Sequence, residues 1–112
     1  MVQDAVKGLL AISNTLSDDL RAEQLDAAVK ELDALAAPLS EEDVRALLSL
    51  LPQGGDTAFG LNWTVLHAIE SALCWPLWDT LQDERSEWTR ILRLRLANAG
   101  LHPPQEGGSA KA

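Results

Sequence analysis

Leu and Ala supply 21 and 16 of the 112 residues, Val, Ile and Thr together supply only 13, and Tyr is absent. Ala and unbranched side chains lose little freedom on entering a helix, whereas the β-branched and aromatic residues that suit a pleated surface are scarce here. The bias points to one fold class, an all-α domain. A chain of this length buries roughly two-thirds of its extended surface on folding, so it needs no covalent staple. None is on offer, because Cys74 is the single cysteine. One domain over residues 1–104 is expected, followed by a polar, small-residue tail over 105–112 that reads as flexible.

Five or six helices can be marked off. Val6, Leu9, Leu10 and Ser13 recur at i, i+3, i+4 and i+7, with Ile12 and Leu16 widening the stripe, which predicts a helix over 3–15. Ser17 is placed to cap a second, whose stripe of Leu25, Ala28, Val29, Leu32, Leu35 and Ala36 runs until Pro38 forbids continuation. The sharpest local signal is Leu39-Ser40-Glu41-Glu42-Asp43-Val44. Ser40 can accept from the amide three residues on, acids fill the first turn, and Leu39 and Val44 stand as a hydrophobic staple. The third helix therefore starts at Glu41, presents Val44, Leu47, Leu48 and Leu51, and stops at Pro52. Gln53-Gly54-Gly55-Asp56 reads as a loop. Asn62 is expected to cap a fourth helix running to about Leu73, and Pro76 to open a short fifth through Leu77, Trp78 and Leu81. The last helix begins between Asp83 and Ser86, carries Trp88, Ile91 and Leu92, and ends at Gly100. Short connections imply antiparallel helix hairpins, arranged either as a bundle or as a HEAT-like stack.

The net charge is -8 and unevenly spread: residues 1–60 hold eleven acids and four bases, residues 61–112 six acids and five bases. An acidic surface repels nucleic acid and anionic lipid, so neither is an expected partner, and a cationic protein is. No apolar run approaches the length of a membrane span. The opening Met1-Val2-Gln3-Asp4-Ala5 lacks the basic and apolar regions of an export signal, which leaves a cytoplasmic expectation.

Asp19, Glu23, Asp26, Lys30 and Asp33 follow at steps of four, three, four and three, which lines four carboxylates along one helix face for about 20 Å. Such a rail is either the solvated back of an amphipathic helix or a surface that meets a basic groove. Glu41 and Glu42 could extend it, although the positive end of their own helix already accounts for them. Four Trp, at 63, 75, 78 and 88, stand out in a chain with one Phe. They serve either as core bulk or as contact residues; Trp75 and Trp78 are the candidates for contact, with Trp75, beside Pro76, expected to be the least buried.

Chemistry is harder to find. His67, Glu70 and Cys74 share a face at i, i+3 and i+7 but lack an evident fourth ligand, so no metal or cofactor is expected. Cys74 and His67 stand two turns apart, a poor geometry for a nucleophile and its base, and an enzyme is not expected. Gly54-Gly55-Asp56-Thr57 lacks the Lys-Ser or Lys-Thr of a phosphate loop. Arg85, Arg90, Arg93 and Arg95 are expected to pair with carboxylates of neighbouring helices or to lie along Trp rings.

The block Gly55-Asp56-Thr57-Ala58-Phe59-Gly60-Leu61-Asn62-Trp63-Thr64-Val65-Leu66-His67-Ala68-Ile69-Glu70, with Trp75-Pro76-Leu77-Trp78 and Glu87-Trp88, resembles a block in small bacterial proteins similar to the immunity proteins of polymorphic toxin systems. It spans about residues 41–98 and contains no catalytic motif. The resemblance implies a helical protein that binds one toxin domain and blocks its action; it assigns no functional residue. A helical adaptor that docks a peptide in a Trp- and Leu-lined groove is the alternative reading.

Overall fold

The computed structural model describes residues 2–103, so the tail expected over 105–112 lies outside the described residues. The described chain is all-α: α1 (Asp4–Ile12), α2 (Ala22–Asp33), α3 (Glu41–Leu50), α4 (Leu61–Glu70), a 3-10 turn (Trp78–Leu81) and α5 (Glu87–Asn98). Helix α1 packs on α2 and α3, and α4 packs on the same two. These four close around one core, in which Val6, Leu9, Val44, Leu47, Val65 and Ile69 are fully buried. Helix α5 and the 3-10 turn build a second, smaller core with Leu66, Leu81, Trp88, Leu92 and Leu96. Leu48, Leu51 and Trp75 touch both cores and join them. The arrangement is a four-helix unit with α5 laid on its side.

The third helix begins where its sequence says it should. The Ser40 hydroxyl accepts from the Asp43 amide at 3.1 Å, and the Asp43 carboxylate accepts from the Ser40 amide at 3.0 Å, closing a capping box. Leu39 and Val44, the staple pair, are both buried in the first core. Likewise Ser86 caps α5 through the Thr89 amide. Elsewhere local signals lose to tertiary ones. Helix α2 starts at Ala22 and not after Ser17, because Leu20 is drawn into the core and the Gln24 side chain accepts from the Arg21 amide at 2.9 Å, fixing the helix entry there. Helix α4 is capped by Gly60 at φ +94°, and Asn62 is instead fully buried within its first turn. It ends at Glu70, short of Leu73. Pro76 does not open the short helix: Leu77, at φ -108° and ψ 87°, is non-helical, and the Thr80 amide reaches back three residues to its carbonyl, the 3-10 pattern.

Asp43 does more than cap. Its carboxylate also accepts from the Gln3 amide at 2.8 Å and from Gln3 Nε2 at 3.2 Å, while the same Gln3 side chain exchanges two hydrogen bonds with the backbone of Ala36. Three segments thus meet at one buried carboxylate. Burial pushes its pKa up, but the hydrogen bonds from Gln3 and Ser40 outweigh that and hold it below the ordinary carboxylate value.

Two consequences can be measured. With a folded pKa below the unfolded value of about 3.9, Asp43 stabilises the protein fully above that pH and progressively less as pH falls through the folded value. Asp43→Asn should therefore cost about 1–3 kcal/mol at neutral pH in urea unfolding and lose less stability than the parent on acidification. Gly8 lies inside α1 at an ordinary φ, and the three atoms nearest to a Cβ added there are those of the Glu31 carboxyl group, as close as 2.1 Å. That carboxyl is the swinging end of a flexible side chain, so Gly8→Ala should raise stability by about 0.5–1 kcal/mol through helix propensity. A lowered thermal midpoint would show instead that the seat of Glu31 on α1 is itself stabilising.

Candidate functional site

The segment between α3 and α4 holds the two non-glycine residues with positive φ among the described residues. Gly55 sits at φ +82°, and a Cβ there would lie 2.7 Å from Cγ of Glu87, so both conformation and space require glycine. Ala58 at φ +50°, Phe59 at φ +57° and Gly60 at φ +94° then follow in the left-handed region. For the two non-glycine residues this costs roughly 1–2 kcal/mol each, which the surroundings must offset. They do so with a dense set of hydrogen bonds. The buried Ala58 donates its amide to Asp18 Oδ1 at 2.9 Å, Asp18 donates its own amide to Asp56 Oδ2 at 3.0 Å, and the amides of Gly60 and Asn62 both donate to the Thr57 carbonyl at 3.0 Å. Asn62 Nδ2 donates to the carbonyls of Leu16 at 2.7 Å and Asp56 at 2.8 Å. The Asp56 carbonyl also accepts from Trp88 Nε1 at 2.9 Å.

This framework holds out an aromatic ring. Phe59 is 69% exposed, and Trp63, four residues on, is 38% exposed, packed edge-on against the buried Trp88 with ring centroids 5.1 Å apart. Trp63, not Trp75, is thus the most exposed tryptophan, because Trp75 lies between the two cores and is half-buried, as is Trp78. Neither therefore offers a freely exposed ring. Trp75 lines a cleft of about 480 Å³ with Glu70, Arg95 and Leu101, but Glu70 and Arg95 already neutralise each other there through two hydrogen bonds of 2.6 and 2.8 Å. Phe59 has no place among the contact residues expected from sequence. Its signal was present all the same: the chain's one Phe stands between a Gly-Gly pair and a third glycine, where an apolar core residue has no reason to be.

Most of the arginines are engaged within the fold. Arg95 pairs with Glu70 across to α4, Arg45 pairs with both Glu41 and Asp79, and Arg85 and Arg90 pair with Asp83 and Glu87 close by in sequence. Arg93 donates to the Leu81 carbonyl at 2.8 Å. Arg95 alone of the four arginines in 85–95 has its carboxylate on another helix, so the expected inter-helix pairing is mostly replaced by local pairs. The Arg45 guanidinium, through its hydrogen bonds, holds Asp79 below the ordinary carboxylate value, and Asp83 is lowered in the same way by Arg85. On α2, by contrast, Glu23, Asp26 and Asp33 are exposed, with Glu23 only loosely paired to Arg21 at 3.7 Å. Asp26 and Asp33 make no ion pair among the described residues, nor does Asp19. Asp19 does not stand on the helix face, since α2 begins after it. From Glu23 to Asp33 the rail is about 15 Å long, not 20. Glu41 is engaged by Arg45 at 2.9 Å and Glu42 is exposed on the first turn of α3.

Of the residues weighed for chemistry, His67 is exposed on α4, Glu70 is held by Arg95, and Cys74 lies half-buried beyond the helix end. No group of three or more His, Cys, Asp or Glu among the described residues is placed to hold a metal ion. No helix of the described chain is long and apolar enough to cross a membrane.

Asn62 is the joint that the turn depends on. Asn62→Ala should cost about 1–3 kcal/mol in urea unfolding, because it removes a buried donor from two carbonyls, and should speed hydrogen exchange at the Ala58 amide more than at the core amides of α4. Comparison with protein-family models, with curated proteins and with solved structures finds no match to this chain.

Proposed function

We propose that this chain is a non-catalytic, protein-binding domain of the immunity type, which neutralises a basic bacterial toxin domain by setting its acidic side against the toxin's cationic surface. The observation that carries this reading is the uneven use of charge. Most of the arginines are spent on carboxylates or carbonyls of the protein itself, while Asp19, Asp26 and Asp33 keep their charge unpaired among the described residues. Unpaired surface carboxylates add little to folding but act over a Debye length of roughly 8 Å on an approaching cation. They therefore favour encounter and orientation, the contribution that electrostatics makes best to association. The resemblance of residues 55–70, 75–78 and 87–88 to immunity proteins supports the same reading.

The test uses the toxic C-terminal domain encoded by the reading frame immediately upstream. Reversing Asp19, Asp26 and Asp33 to Lys should slow association at least tenfold at low salt and flatten its salt dependence, with a thermal midpoint close to the parent's. Absence of a toxin domain in that frame, or binding untouched by the triple reversal, would rule the reading out.

A further inference from the structure

We infer that Phe59 and Trp63 form the apolar anchor of a docking surface for an amphipathic, cationic segment of a partner protein, whose apolar side chains cover the two rings while its Lys and Arg side chains meet Asp18, Asp19 and Asp56. The inference rests on the protein-binding reading above and gives it a contact surface. The fold makes little use of the Phe59 ring, which is 69% exposed, and the backbone at φ +57° would suit Asn or Gly better. A bulky apolar residue is thus kept where both exposure and conformation oppose it. Trp63 adds a second exposed ring at the start of α4, backed by the buried Trp88, so it is held in place before any partner arrives. Aromatic residues, Trp and Phe among them, are enriched in protein interfaces, and Trp is enriched at the positions that carry most binding energy.

Charge selects the occupant. Residues 17–20 and 53–63 contribute Asp18, Asp19 and Asp56 and no Lys, Arg or His. Asp18 and Asp56 are already oriented by backbone amides, Ala58 to Asp18 and Asp18 to Asp56, which fixes their carboxylates beside the turn that presents Phe59. Their hydrogen bonds come from neutral amides and leave the negative charges in place. An anionic or purely apolar partner would desolvate these groups without replacement, whereas a segment alternating apolar and basic residues satisfies both parts.

The test does not need the natural partner. The probe is an 18-residue helical peptide of Leu and Lys, with poly-Lys of equal length as the control, titrated against the whole protein by NMR. The Leu/Lys peptide should shift the Trp63 indole N–H and the Phe59 amide before other signals. Phe59→Asn, which relaxes the left-handed backbone and so keeps or raises the thermal midpoint, should weaken it at least tenfold; Phe59→Leu, which keeps apolar bulk, should restore most of that loss. Poly-Lys should bind parent and Phe59→Asn alike. No binding of the Leu/Lys peptide, binding indifferent to Phe59→Asn, or shifts centred on α2 or on the Trp75 cleft would overturn the inference. Loss of toxin binding on reversal of Asp19, Asp26 and Asp33, with no effect of Phe59→Asn on the peptide, would leave the proposed function standing and remove this surface alone.

Discussion

One backbone carbonyl, that of Asp56, holds the molecule's two halves in register. It accepts from Asn62 at the start of α4 and from the indole of Trp88 on α5, the largest fully buried side chain of the second core. Through the other hydrogen bond of Asn62, to Leu16, the same joint reaches the link between α1 and α2, and the Leu16 amide in turn donates to the end of α3 at 2.8 Å. Buried polar groups left without partners cost more than most contacts gain, so each of these bonds is a requirement on its neighbours' positions. Five helices joined by irregular links could slide against one another on apolar packing alone. The polar joint sets where they stop.

That rigidity has a local use. The left-handed run at Ala58, Phe59 and Gly60 survives because Asp18, Asn62 and Thr57 leave the backbone no other place to go. Strain of this kind persists where the surrounding structure over-determines it, and it tends to collect where a protein presents something. Here the presented group is an aromatic ring beside fixed carboxylates. In the proposed reading, the charge of Asp19, Asp26 and Asp33 would act on approach of a cationic partner and the ring at the α3–α4 turn on residence.

The parts of the fold legible from sequence were those governed within a few residues. The box at Ser40 and Asp43 and the staple of Leu39 and Val44 are interactions between neighbours along the chain. The parts that were not legible depend on residues far away. Asn62 looked like a cap, since Asn caps helices well, yet its side chain is taken by Leu16, 46 residues earlier. Asp19 looked like the first rung of a helical rail, yet Leu20 is buried and the helix waits until Ala22. Trp75 looked loosely placed beside a proline, yet it fills the space between two cores, a space that exists only once α5 has docked.

Composition and spacing by themselves determined that the chain is helical, where α3 begins, and that its acids outnumber its bases in the first sixty residues, because propensity, capping and charge are properties of short stretches. Tertiary structure alone decided which carboxylates remain unpaired and which rings reach solvent. Both are settled by what each side chain meets across the fold: an arginine 25 residues away for Glu70, a second tryptophan for Trp63, and for Phe59 almost nothing.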